Sequence, residues 1–274
     1  MKNLIKPKAI VLTDGILQTT DAKTAHGLIR GTERFEIVAV IDSVHAGKDA
    51  GEVLDGTRRN IPVLANVAAA IDTIPGISYC IIGVATIGGV LPDHFIPTIK
   101  SCIQNNISIV NGLHDFLTNI PELVTLASQY NVELMDVRKP KNRKDLHFWD
   151  ASIFNVKAPI IAVIGTDCAL GKRTTCRMLK QACATSGINA QMIYTGQTGW
   201  LQGGQYGFIF DSTLNDFISG ELEHAIVSCW KETNADVILI EGQSALRNPS
   251  GPCGSELLIS GNAKQVILVH APKR

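Results

Sequence analysis

An uninterrupted apolar run, Pro159-Ile-Ile-Ala-Val-Ile164, leads directly into Gly165-Thr-Asp-Cys-Ala-Leu-Gly171-Lys172, and the residues that follow take helical spacing. A strand with no polar face is buried on both sides, which is the habit of parallel sheets covered by helices. The feature restricts the chain to an α/β architecture and gives it a place to hold an anion. Backbone N–H groups gather at such a turn, and the positive end of the helix dipole faces the same spot.

The same alternation runs through the chain. Strands are predicted at Ala9–Thr13, Phe35–Ile41, Tyr79–Val84, Ile107–Val110 and Val132–Val137, with helices at Thr20–Arg30, Asn66–Asp72, Pro97–Asn105 and Pro121–Tyr130. A second series continues from Ile160–Ile164 with strands at Ala190–Tyr194, Val237–Ile240 and Gln265–Val269. Its helices are one after the glycine loop, ended by Gly187, and one from Thr213 to about Lys231, with Thr213 and Asp216 as a capping box. The charged, proline-containing stretch Arg138–Asp150 separates the two. The expectation is two parallel-sheet domains: Rossmann-like over 1–140, a linker over 141–157, and a P-loop NTPase-like domain over 158–274. The chain stops just beyond a strand, which reads either as a natural end or as the absence of a C-terminal segment from that second domain.

At 274 residues the chain exceeds one small core, and 45% hydrophobic against 18% charged residues supplies enough apolar material for two buried sheets. Lysine plus arginine equals aspartate plus glutamate at 25 each, which leaves no electrostatic footprint for nucleic acid or an anionic membrane. No apolar run approaches the ~18 residues of a membrane span, and the first residues lack the apolar stretch of a signal peptide. A cytoplasmic homo-oligomer acting on small molecules is therefore expected. Seven cysteines, at 80, 102, 168, 176, 183, 229 and 253, form no C-x-x-C pair and no zinc pattern with the histidines, so they read as small hydrophobes and no metal site is expected. Cys168 differs in sitting within the glycine loop.

The standard phosphate loop is G-x-x-x-x-G-K followed by a serine or threonine whose hydroxyl binds Mg²⁺. Counting back from Gly171, the first glycine position falls on Thr166, with Gly165 one residue early. The hydroxyl position falls on Arg173, which cannot ligate a cation. Thr174 serves there only if the register slips by one. The phosphate contacts are accordingly expected from Gly165, Thr166, Asp167, Gly171, Lys172, Arg173, Thr174 and Thr175. In its Gly-Thr-Asp start and Gly-Lys end this loop resembles that of dethiobiotin synthetase.

Other polar residues cluster just beyond strands, where open α/β sheets bind ligands. Glu241 closes the run Val237-Ile-Leu-Ile, Thr195-Gly-Gln-Thr-Gly199 brings Gln197 and Thr198, and Asp211 precedes a helix. In the first half Asp42 ends the second strand, the place of a ribose-binding acid, but the preceding turn Thr13-Asp-Gly-Ile-Leu-Gln18 has no G-x-G-x-x-G, so no nicotinamide cofactor is expected. His114 reads as a general base or as a helix-start hydrogen-bonder, and Arg138 with Lys139 as a carboxylate clamp or as linker charge.

Taken together, KTAHGLIR (Lys23 to Arg30), IGGVLP (Ile87 to Pro92), NGLHDFL (Asn111 to Leu117), DVRKP (Asp136 to Pro140), GTDCALGK, TGQTG and IEGQ resemble one family from about residue 9 to the end. That family joins a Rossmann-like domain to a P-loop domain and includes D-glutamate N-acetyltransferases. The resemblance implies transfer of an acetyl group from acetyl-CoA to a small amino acid such as D-glutamate. Gly171, Lys172, Arg173 and Thr174 would hold donor phosphates, and Arg138 or Arg30 the substrate carboxylate, with Gln197 and Thr198 also lining the substrate. His114 or Glu241 would take the ammonium proton, with Asp211 a further catalytic candidate. A donor of this kind needs no catalytic Mg²⁺, which suits Arg173. The alternatives are an ATP- and Mg-dependent carboxylate-activating enzyme of the dethiobiotin synthetase type, with Thr174, Asp211 and Glu241 sharing the metal, and a non-catalytic nucleotide- or CoA-binding regulator.

Overall fold

A computed structural model of the chain describes residues 5–246 and 254–272, so Cys253 lies outside the described residues. Contacts divide the chain into two units, 1–139 with 201–203, and 140–200 with 204–274.

The first unit is a six-stranded parallel sheet of β1 (Lys8–Leu12), β2 (Glu36–Ile41), β3 (Val63–Leu64), β4 (Ile77–Ile82), β5 (Ser108–Asn111) and β6 (Leu134–Asp136), in the order β3-β2-β1-β4-β5-β6. Its helices are α1 (Lys23–Ile29), α2 (Ala50–Asp55), α3 (Val67–Thr73), α4 (Phe95–Gln104) and α5 (Pro121–Tyr130). The order reverses between β1 and β4, so the loops after these two strands leave on diverging paths and open a crevice at their carboxyl ends. Asp42, the residue after β2, is fully buried beside the β1 turn. Its Oδ2 accepts from Thr13 Oγ1 at 2.8 Å, Gly15 N at 2.9 Å and Leu17 N at 3.0 Å, while Oδ1 accepts from His45 N and, at 2.8 Å, from His45 Nδ1. Burial pushes this carboxyl up, but the His45 and Thr13 hydrogen bonds outweigh it and hold it below the usual range. Asp42 therefore folds the β1 turn with both oxygens engaged. The short β3 and α2 escape the sequence pattern because two paired residues carry no period, and because α2 depends on its cap: Asp49 accepts from Gly51 N, Glu52 N, Arg59 N and Ile61 N.

The second unit holds β7 (Ile160–Gly165), β8 (Ala190–Tyr194), β9 (Tyr206–Gly207), β10 (Val237–Glu241) and β11 (Gln265–Val269) as a parallel sheet ordered β11-β7-β10-β8-β9. Its helices are α6 (Lys172–Thr185), α7 (Gln197–Leu201), α8 (Ile218–Thr233) and α9 (Ser255–Ile259). Successive residues of β7 face opposite ways: Ile160, Ala162 and Ile164 join the core under α8 with Leu222, Ala225 and Ile226, whereas Ile161 and Val163 join that under α6 with Cys176 and Leu179. Both predicted sheets are thus present, and the wholly apolar runs are apolar because each strand is covered twice.

Two expectations change. The helix predicted from Thr213 begins at Ile218, because the Thr213 hydroxyl donates back to Ile209 O at 2.8 Å and a 3₁₀ turn over Asn215–Phe217 intervenes; no capping box forms. The charged segment 141–157 packs within the second unit, strapped onto α8 by two of its glutamates. Glu221 accepts from Lys141 Nζ at 2.6 Å and His147 Nδ1 at 2.7 Å, and Glu223 from Asp150 N at 2.7 Å and Ile153 N at 3.0 Å. Both are 2% exposed. Among the described residues no helix is long and apolar enough to cross a membrane.

Candidate functional site

The glycine loop is built as its sequence requires. β7 ends at Gly165, the turn passes through Ala169 and Gly171 with positive φ (52° and 96°), and α6 starts at Lys172 with no side chain capping its amino end. Lys172 is buried and curls over the loop, donating to Asp167 O at 2.8 Å and Ser244 O at 2.6 Å. The loop is tied on both sides. Thr166 N donates to Val269 O, Thr166 Oγ1 pairs with His270 Nδ1 at 2.9 Å, and Leu246 N donates to Gly165 O. Asp167 Oδ1 accepts from Cys168 N at 2.7 Å. Thr175 turns its hydroxyl back to Gly171 O, and Thr174 is exposed.

Arg173 resolves the irregularity in the motif. From the position that usually supplies a metal-binding hydroxyl, its guanidinium reaches Glu241, with Nη1 3.7 Å from Oε1. Glu241 closes β10 with its side chain 5% exposed, and burial pushes its carboxyl up while Arg173 pulls the other way. Thr195 N donates to Glu241 Oε2 at 3.3 Å and Thr195 Oγ1 to Glu241 O at 2.7 Å, which fixes the strand end against the start of the TGQTG segment. A side chain on Gly199 would meet Glu241 Oε2 at 2.7 Å. Gln197 and Thr198 are buried in the first turn of α7, a short helix absent from the predicted elements. Asp211 is exposed in a 3₁₀ turn, next to Phe210, whose N–H donates to Thr195 O. This donor set does not suit a divalent cation: the hydroxyl is replaced and the acid already faces a guanidinium. Among the described residues no group of three or more histidine, cysteine, aspartate or glutamate side chains is placed to hold a metal.

Burial, reinforced by Glu241, raises the Cys176 thiol far above its ordinary value, so it is core material. Cys80, Cys102 and Cys229 are likewise buried, and Cys168 is exposed on the loop.

In the first unit a second polar cluster lies beyond β5 and β6. Arg138 donates through Nε to Gly112 O at 2.7 Å and through Nη1 to His114 Nε2 at 3.1 Å. Arginine has no acceptor, so that imidazole nitrogen carries a lone pair and the ring proton sits on Nδ1. Asp136 accepts from Asn111 Nδ2, Leu117 N, Thr118 N and Thr118 Oγ1, and Lys139 donates to Thr118 Oγ1 at 2.8 Å. Arg30 is elsewhere. It follows the last residue of α1 and lies 3.6 Å from Asp55, whose carboxyl is held at about 2 chiefly by its hydrogen bonds from Arg59.

Two family models match the chain: a Rossmann-like domain of unknown function, DUF1611_N, over residues 43–140, and the P-loop domain of DUF1611 over residues 147–274. A D-glutamate N-acetyltransferase from a Pseudoalteromonas species is 35% identical over 195 residues, covering 71% of this chain and 56% of that protein. Another from Tritonibacter scottomollicae is 28% identical over 200 residues, covering 73% and 58%. The chain thus spans less than three-fifths of these relatives. The crystal structure of a DUF1611 family protein from Anabaena variabilis is 32% identical, with a TM-score of 0.87, and is matched over 97% of this chain and 74% of that one. With both matched regions in chain order and a solved member alike in fold and sequence, this chain belongs to the DUF1611 family.

Proposed function

We propose that the chain transfers an acetyl group from acetyl-CoA to the amino group of a small amino acid, with D-glutamate as the acceptor. The observation that carries this reading is the Arg173–Glu241 pair. A phosphate cradle whose cation is a built-in guanidinium suits the pyrophosphate and 3′-phosphate of coenzyme A, which need positive charge and no metal. The names of the two matched relatives point the same way.

In this reading Lys172 leaves its two carbonyl partners for the donor phosphates, the N–H groups of Gly165, Asp167, Gly171 and Thr174 complete the cradle with the side chains of Thr166 and Thr175 beside them, and Arg173 neutralises the remaining charge. Gln197, Thr198 and Asp211 border the same sheet edge. Arg138 takes the acceptor's carboxylate, and His114 positions it through the 3.1 Å hydrogen bond. Glu241, shut in by Arg173 and Thr195, holds the guanidinium in place.

Calorimetric titration with coenzyme A in the presence of a metal chelator tests the cradle. The expected result is saturable binding that Lys172→Ala weakens at least tenfold. Binding that needs Mg²⁺, or that survives the substitution unchanged, contradicts it.

A further inference from the structure

Between the segment 141–157 and α8 lies a cavity of about 260 Å³. None of its lining residues belongs to the phosphate cradle, and α8 covers the face of the sheet opposite α6, so the two sites lie on different sides of the second unit. The volume falls just short of the roughly 300–1,000 Å³ of pockets for drug-sized ligands and suits something smaller.

The walls are fixed from behind. The segment crosses α8 at Gly220, where a side chain would meet His147 O at 2.0 Å. The His147 ring, hydrogen-bonded to the buried Glu221, stacks flat on His224, with 3.6 Å between centroids and 7° between planes. Burial, and then the neighbouring His147, hold the His224 imidazole below its ordinary pKa, which favours the neutral ring. Asp150 is pinned through its N–H to Glu223, and Ala151 after it takes a left-handed backbone (φ 71°). A residue other than glycine keeps that conformation where its surroundings enforce it. The turn brings Ser152 N to Asp150 Oδ1 at 2.9 Å.

The charges lining the cavity do not cancel one another. Hydrogen bonds from Ser152, its hydroxyl first and then its N–H, hold the Asp150 carboxyl below the usual range, and Lys231 is close enough to add to the effect. Yet Lys231 and Asp150 form no ion pair, and neither the Lys231 ammonium nor the Ser228 hydroxyl has a hydrogen-bond partner among the described residues. Steps of four and three residues put Ser228 and Lys231 on the same face of α8 as His224. A carboxylate from the segment and an ammonium with a hydroxyl from the helix, near but unpaired, complement a ligand that carries both charges on a short scaffold. Val227 and Phe148 add apolar surface to the lining.

We propose that this cavity binds a free amino acid with a small apolar side chain, its ammonium group on Asp150 and its carboxylate on Lys231 and Ser228. The side chain lies against Val227 and the stacked rings. Binding here needs neither an acetyl donor nor turnover, so it holds or fails apart from the acetyl-transfer reading.

The test follows the His147 and His224 ring signals by NMR at constant pH as L-valine or D-valine is added to the whole chain. Acetate and ethylamine serve as probes of one charge each, and Lys231→Gln and Asp150→Asn are compared with the wild type. Both substituted residues are exposed, so circular dichroism is expected to stay that of the wild type. The expected result is a saturable shift with at least one enantiomer of valine and none with acetate or ethylamine, and a Kd raised about tenfold or more in each variant. Acetate binding as tightly as valine makes the cavity an anion site and overturns the amino-acid assignment. No saturable shift with either enantiomer, or a shift that either variant leaves unchanged, overturns it as well.

Discussion

Replacing Arg173 by methionine removes the cation facing Glu241 while keeping the bulk of the side-chain stem. The two charges lie 3.7 Å apart, with the carboxylate 5% and the arginine 25% exposed. At that separation the attraction is about 4 kcal/mol at an effective dielectric near 20 and about 1 kcal/mol in bulk water. One partner enclosed and the other partly wet places the expected coupling between these limits, about 2 kcal/mol. Burial holds the Glu241 pKa above its ordinary value, so its ionised form costs stability: the contribution is favourable below the unfolded pKa and is lost as pH rises through the folded one. Above that folded pKa, Arg173→Met is therefore expected to cost about 2 kcal/mol in the wild type and close to nothing in a Glu241→Gln background. The penalty fades as acidification protonates Glu241. All three tryptophans, Trp149, Trp200 and Trp230, belong to the second unit, so urea unfolding followed by tryptophan fluorescence reads that unit alone. A coupling below about 0.5 kcal/mol, or a penalty indifferent to pH, would refute the argument that the guanidinium is the resident cation of the cradle.

Asp42→Ala strips five donors of their acceptor, and with Thr13 and Leu17 wholly buried the first unit is expected to lose about 3 kcal/mol or more by chemical denaturation. Because the pKa of Asp42 is depressed, its contribution is present above the ordinary carboxylate range and is lost as pH falls through the folded value, so the gap between variant and wild type narrows in acid. Glu223→Ala removes the acceptor for Asp150 N and Ile153 N, and amide hydrogen exchange at these two positions is expected to accelerate at least tenfold while the β7 amides stay protected. Gly199→Ala puts a methyl 2.7 Å from Glu241 Oε2 and 2.5 Å from Tyr194 Cβ, and titration should show coenzyme A binding weakened by tenfold or more with both sheets intact by circular dichroism.

The elements easiest to read were those with the longest apolar runs. The boundaries of β8 and β11 fall where the pattern placed them, since these strands are flanked by polar residues. Tertiary contacts decided the rest. Residues 141–157 begin with the charge of a linker just after Pro140, yet Glu221 and Glu223 hold their backbone to α8, and an acidic position every second residue on a helix gives no sign of its partner 70 or more positions away. The Thr213 hydroxyl found a backward acceptor instead of the predicted cap. In the candidate site, Lys172 and Glu241 were legible because motif and strand end coincide, and Arg173 was legible as an anomaly. Its partner was not, because the pairing of residues 173 and 241 depends on β10 lying beside β7.

The central claim is tested most directly by a paired assay on the purified chain. Free thiol released from acetyl-CoA is followed with D-glutamate and with L-glutamate, in chelator, beside ADP released from Mg-ATP with the same amino acids. The account predicts thiol release that depends on D-glutamate, is indifferent to the chelator, and is accompanied by no ATP turnover. Magnesium-dependent ADP formation without thiol release would contradict it and make the phosphate loop a site of phosphoryl transfer.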